Sequence, residues 1–147
     1  MKTVLLALFL CLSVCDAEID TDFETIADVS SGGTETTKFL TKLPQTELEA
    51  STSWKLSDGE PPIGPGKAAM LAIASKDAEY PDFKDWVIRD ITLQFSEHGS
   101  YYRVNFKGKT YEEETVIDTI LRISHHYEGF TYFVLFDSTV ITPKQRD

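Results

Sequence analysis

Residues 86–106 constrain the fold more than any other part of this chain. WVIRDITLQF alternates, with Val87, Ile91, Leu93 and Phe95 on one face and Asp90, Thr92 and Gln94 on the other. Glu97-His98-Gly99-Ser100 makes a turn, after which Tyr102, Val104 and Phe106 share a face opposite Tyr101, Arg103 and Asn105. Period-two alternation on both sides of a glycine turn specifies an antiparallel hairpin buried on one face. Such a hairpin needs a cover for its apolar side.

PGKAAMLAIASKDAEYP, at 65–81, is the expected cover. Pro65 sits near the start of a helix, where its missing N–H costs nothing. Pro81 biases Tyr80 away from helical angles and stops it. On a wheel, Tyr80, Ile73, Met70, Ala74, Ala78 and Leu71 form the expected buried half, with Lys76, Ser75 and Glu79 outside. The alanines allow close approach to a sheet. FTYFVLFD, at 130–137, is apolar on both faces and reads as a central strand, and VITP, at 140–143, as a short edge strand ended by Pro143. TYEEETVIDTILRISHHY, at 110–127, fits a helical stripe or a strand. β-Branching favours a strand from about Thr115 to Tyr127, turning at Glu128-Gly129 to pair with FTYFVLFD. The expected fold class is α+β: one helix packed on a four- to five-stranded antiparallel meander.

The N-terminal third has a different composition. MKTVLLALFLCLSVCDA has one lysine, a short apolar run and small residues ending at Ala17, the parts of a secretory signal peptide over residues 1–17. Its apolar run is too short for a stable membrane span. Lipid attachment at Cys15 is the minor alternative, since LSVC loosely resembles a bacterial lipobox. Both cysteines, Cys11 and Cys15, lie in this leader, so the mature domain is expected to be stable on its core alone. Residues 18–50 carry eight acidic residues against two lysines, with many threonines and the breaker SSGG. They read as an acidic, Thr-rich flexible segment, with at most one short element around Thr37 to Leu43. Residues 51–147 then form a single α+β domain, in which Trp54 and Leu56 are placed to share one face of a short strand.

Lys2 and Asp16 cancel, so the mature chain keeps the net charge of −10. Such a balance disfavours nucleic acid and anionic membrane surfaces as partners.

The helix GKAAMLAIAS, the hairpin WVIRDITLQF…YYRVNF and the closing FVLFDSTVI resemble the PepSY-type domain of small secreted bacterial proteins, with a cystatin-like architecture as a more distant relation. The resemblance spans residues 64 to 142. It departs at Ser138 and Thr139, where the family places a Thr-Gly pair, and over 110–127, which is longer. It implies a non-catalytic domain that binds or inhibits a protein in the cell envelope.

Candidate chemistry is sparse. His125 and His126 are adjacent, so on a strand they point to opposite faces and cannot easily chelate one ion, even with His98 nearby. Glu112-Glu113-Glu114 lacks the spacing of a calcium loop. Asp58-Gly59 is explained by turn geometry. No G-x-S-x-G elbow, H-E-x-x-H pair or phosphate loop is present. No catalytic residue, cofactor or metal is therefore expected. Tyr102 belongs to the core, whereas Tyr101 lies beside Arg103 on the polar face. An aromatic next to an arginine suits a protein contact. The expected contact surface is an open, flat sheet face away from the helix, around Tyr101, Arg103, Arg89 and Thr92, with Phe133 and Leu135 in reach. Its expected partner is an envelope or extracellular protein. The alternative is a small cone-shaped α+β enzyme or ligand carrier with a concave cavity.

Overall fold

The computed structural model describes residues 25–34, 36–117 and 120–146, the side chains of 110–127 excepted. The leader at 1–17 and residues 18–24 lie outside the described residues. β1 (Ile26–Gly33), β2 (Lys38–Pro44) and the short α1 (Gln45–Ala50) come first. α2 (Pro65–Glu79), β3 (Val87–Ser96), β4 (Gly99–Ile117), β5 (Ile120–Leu135), β6 (Val140–Ile141) and β7 (Lys144–Arg146) follow. All strands join one antiparallel sheet in the order β3-β4-β5-β1-β2-β7, with β6 beside β5. The α+β class is as expected, but the sheet has seven strands rather than four or five.

The additional strands come mainly from the segment expected to be flexible. Residues 26–33 and 38–44 pair from Ile26↔Pro44 to Gly33↔Lys38. Their apolar content is low, but it is placed with period two: Phe39, Thr41 and Leu43 are all buried. Three inward positions on a surface already built by β4 and β5 suffice, where an isolated segment of that composition would stay unfolded. The folded unit therefore begins by Ile26, not at residue 51.

β3 and β4 form the expected hairpin, from Ser96↔Gly99 to Val87↔Lys107. A bulge between Ile88 and Asp90 shifts the register, so Ile88 pairs with Phe106 and joins the core while Val87 is 55% exposed. Simple alternation had put Val87 inside. The central strand is β5, as expected, with residues 130–135 buried on both faces. However, the chain reverses between Ile117 and Ile120, and 120–135 is one unbroken strand running straight through Glu128-Gly129. Beyond Lys107 and Gly129, the β4–β5 ladder continues as a two-stranded ribbon. Trp54 is buried against Phe136, whereas Leu56 starts a 3-10 turn and is 75% exposed, so the two do not share a strand face.

α2 covers the face formed by Tyr102, Val104, Phe106, Phe130, Tyr132 and Val134. Its orientation is turned from the wheel reading: Leu71 and Tyr80 pack on the core as expected, but Met70, Ile73, Ala74 and Ala78 do not. Ala68, Ala72 and Lys76 face the sheet at 0%, 0% and 1% exposure, while Met70 is 61% exposed and Ile73 40%. Two alanines bring the helix backbone close to the strands, and the lysine stem then continues the stripe four residues on. Its ammonium donates to the carbonyl oxygens of Phe83 at 2.9 Å and Lys84 at 3.3 Å, and meets Asp77 at 2.7 Å. Lys76 thus ties α2 to the turn that leads into β3.

Lys76→Met keeps the apolar stem and removes those bonds, so it is expected to cost about 2 kcal/mol in urea unfolding. Met70→Ala is expected to stay within about 0.5 kcal/mol. A larger loss from Met70→Ala than from Lys76→Met would mean that α2 packs the other way round.

Candidate functional site

The sheet face away from α2 divides into two zones. β4 presents Tyr101, Arg103 and Asn105 there, opposite Leu135, Phe133 and Thr131 of β5 and Gln94, Thr92 and Asp90 of β3. The first zone is closed. Tyr101, Phe133 and Leu135 pack with Leu43 of β2 and Leu48 of α1 into a second, smaller core. The Tyr101 ring meets Phe133 edge-on at 5.6 Å, and its hydroxyl donates to Asp28 Oδ2 at 2.7 Å. Burial, and then the Asp28 carboxylate, push the phenol far above its usual value. Tyr101 is only 4% exposed. The expected open, flat face is therefore not present here, because the β1–β2 hairpin and α1 lie on it.

The second zone is a cleft of about 700 Å³. One wall is β1, from Ser30 to Gly33; the other is β3, with Arg89, Asp90, Thr92 and Gln94. Arg103, Asn105 and Thr131 form the floor between them. Three of the four residues expected at a contact surface, Arg89, Thr92 and Arg103, thus line one concavity, and Tyr101 is excluded from it. The β1 wall is set by a close backbone approach. A Cβ on Gly32 would stand 2.1 Å from the Gly129 carbonyl oxygen, so only glycine fits.

A continuous hydrogen-bonded chain crosses the cleft. Arg103 Nη2 donates to Ser30 Oγ at 3.0 Å, Ser30 Oγ to Thr131 Oγ1 at 2.8 Å, and Thr131 Oγ1 to Asn105 Oδ1 at 2.6 Å. Asn105 Nδ2 and Arg89 Nε then donate to the two oxygens of Asp90, each at 2.5 Å. Burial pushes the Asp90 carboxyl up, but the hydrogen bonds from Arg89 and Asn105, with the charges of Arg89 and Arg103, outweigh it and hold the group below its ordinary value. Asp90 and Asn105 share the alternating polar face and were visible in the sequence as such. Ser30 was not, because it lies in the segment read as flexible.

Elsewhere, His98 contacts Glu49 at 2.9 Å and Glu97 at 3.3 Å, tying the β3–β4 turn to α1. Among the described residues no three of His, Cys, Asp and Glu converge as metal ligands. The side chains of Glu112, Glu113, Glu114, His125 and His126 lie outside the described ones. No described helix is long and apolar enough to cross a membrane. Comparison with protein families, characterised proteins and solved structures finds no match to this chain.

Gly32→Ala is expected to force β1 away from β5 and cost roughly 1–3 kcal/mol, because the atom it strikes is backbone. Unchanged thermal stability would contradict that closure. Asp90 gives a pH prediction. A depressed folded value contributes stability above the unfolded value of about 3.9 and loses it as pH falls through the folded value. The urea midpoint should therefore be level above about pH 5 and fall below about pH 4, with a shallower fall in Asp90→Asn. Equal acid slopes in the two proteins would remove Asp90 from the network.

Proposed function

We propose that this chain is an exported, non-catalytic binding module whose contact site for an envelope or extracellular protein is the cleft between β1 and β3. The observation that carries this is the cleft itself: a polar concavity of about 700 Å³ with an arginine in its floor, lined by Arg89, Thr92 and Arg103. Its walls are strands of one sheet, so the geometry is largely formed before a partner arrives. Export rests on the composition of residues 1–17, and kinship with PepSY-type domains on the segments quoted for it.

The absence of catalysis is argued from the groups in the cleft. The Ser30 and Thr131 hydroxyls are each committed as donors to a neighbouring side chain. Among the described residues no histidine lines the cleft to act as a base toward them. Asp90, held in its ionised form, is a poor general acid. The second reading, a small-ligand carrier, is favoured by the volume, which falls within the usual range for ligand sites. The largely polar lining favours a segment of a protein instead, since small-molecule pockets are mostly apolar.

The test is capture of partners from an envelope extract by the immobilised chain from residue 18. Thr92→Arg, which narrows the cleft from its β3 wall, should abolish specific capture, and Leu56→Ala, outside it, should not. Capture indifferent to Thr92→Arg, or no saturable capture at all, would end the proposal.

A further inference from the structure

The chain of hydrogen bonds across the cleft has a fixed polarity. Asp90 is held ionised, so it only accepts, and the Asn105 amide nitrogen must be the atom facing it. The Asn105 oxygen then needs a donor, which makes Thr131 the giver, and Thr131 in turn accepts from Ser30. At the other end Arg103 only donates, and it gives one proton to Ser30. Both ends thus enforce the same direction, and neither hydroxyl proton is left over.

The cleft floor consequently offers a ligand its free protons only on nitrogen, while Ser30 Oγ, Thr131 Oγ1 and Asn105 Oδ1 each keep one acceptor lone pair. Arg103 retains two Nη1 protons and one on Nη2, and Asn105 retains the second proton on Nδ2. Arg103 Nε is sealed from the surface and has no hydrogen-bond partner, so a ligand is gripped through the two terminal nitrogens. No described carboxylate lies within ion-pair distance of this guanidinium. Asp90, the one carboxylate among the described residues lining the cleft, is occupied by Arg89 and Asn105.

We infer that the cleft recognises a single carboxylate, held in bidentate fashion by the Nη1 and Nη2 groups of Arg103 with Asn105 as a third donor. A planar fork of charged donors matches two acceptor oxygens in geometry and in sign. A polyacidic ligand is disfavoured by the net charge of −10. A lone carboxylate beside neutral amides, such as the end of a peptide chain, avoids that repulsion. This inference rests on the proposed binding role and names the chemical group that the cleft takes.

The test is a titration of the ¹⁵N-labelled chain from residue 18 with three probes. N-acetylglycine mimics a peptide chain end, acetate is a bare carboxylate, and N-acetylglycinamide is the uncharged control. N-acetylglycine is expected to shift the Arg103, Asn105 and Thr131 signals saturably at millimolar concentration, as its few atoms allow. N-acetylglycinamide should not. Acetate binding equally well would assign recognition to the carboxylate alone, and weaker acetate binding would assign part of it to the adjoining amide. Arg103→Gln should abolish the shifts, and Arg103→Lys, which keeps the charge but not the fork, should weaken binding about tenfold while preserving the folded spectrum. Equal shifts with the uncharged probe, no saturable shift up to about 0.1 M, or full binding by Arg103→Lys would overturn the inference. If partner capture still depended on Thr92 in that case, the binding role would stand and only the ligand class would fall.

Discussion

The structure depends on one close crossing of backbones, where Gly32 of β1 passes Gly129 of β5. A side chain at Gly32 would drive the two strands apart. With none there, β1 enters at the rim of the central sheet and then lies over its far side. Ser30 reaches Thr131 and Arg103, and Asp28 reaches the Tyr101 hydroxyl. β2 follows and carries Leu43 onto Tyr101 and Phe133. What would have been an open layer becomes a layer with one half sealed and the other half hollow. The second core and the cleft are two results of the same crossing.

That crossing explains which parts of the fold were legible. Tyr102, Val104 and Phe106 were readable as core because alternation on a strand is a local property, and the two-faced character of residues 130–137 marked the centre of the sheet. The bulge at Ile88–Asp90 was not readable, since it moves Val87 out and Ile88 in without any change in composition. Lys76 was misplaced for a different reason. A wheel treats lysine as polar, but two alanines upstream leave room for its stem, and two carbonyls at the next turn satisfy its charged end. Residues 26–44 were misread because their order is conditional on a surface assembled from segments about a hundred residues later in the chain.

The site was half legible for the same reason. Arg89, Thr92 and Arg103 could be grouped by strand parity alone, and the structure brings them to one place. The shape of that place could not be inferred, because it requires Ser30, which arrives from outside the hairpin. Tyr101 illustrates the difference well. Strand parity put it correctly on the face away from the helix, and the hairpin then covered it. Two guanidinium groups, one of them paired with Asp90, thus line one concavity of a chain whose net charge is −10.

The bulge in β3 has a second consequence. Among the described residues β3 has no neighbour on its outer side, which leaves a ten-residue row of backbone donors and acceptors at the margin of the sheet. An even row of that kind is a template on which another molecule can nucleate cross-strand assembly. The extra residue at Ile88–Asp90 breaks the spacing that an incoming strand would have to match, and the exposed Arg89 adds a charge at the same point. The irregularity that places Asp90 at the cleft therefore also makes this margin a less regular template for an added strand.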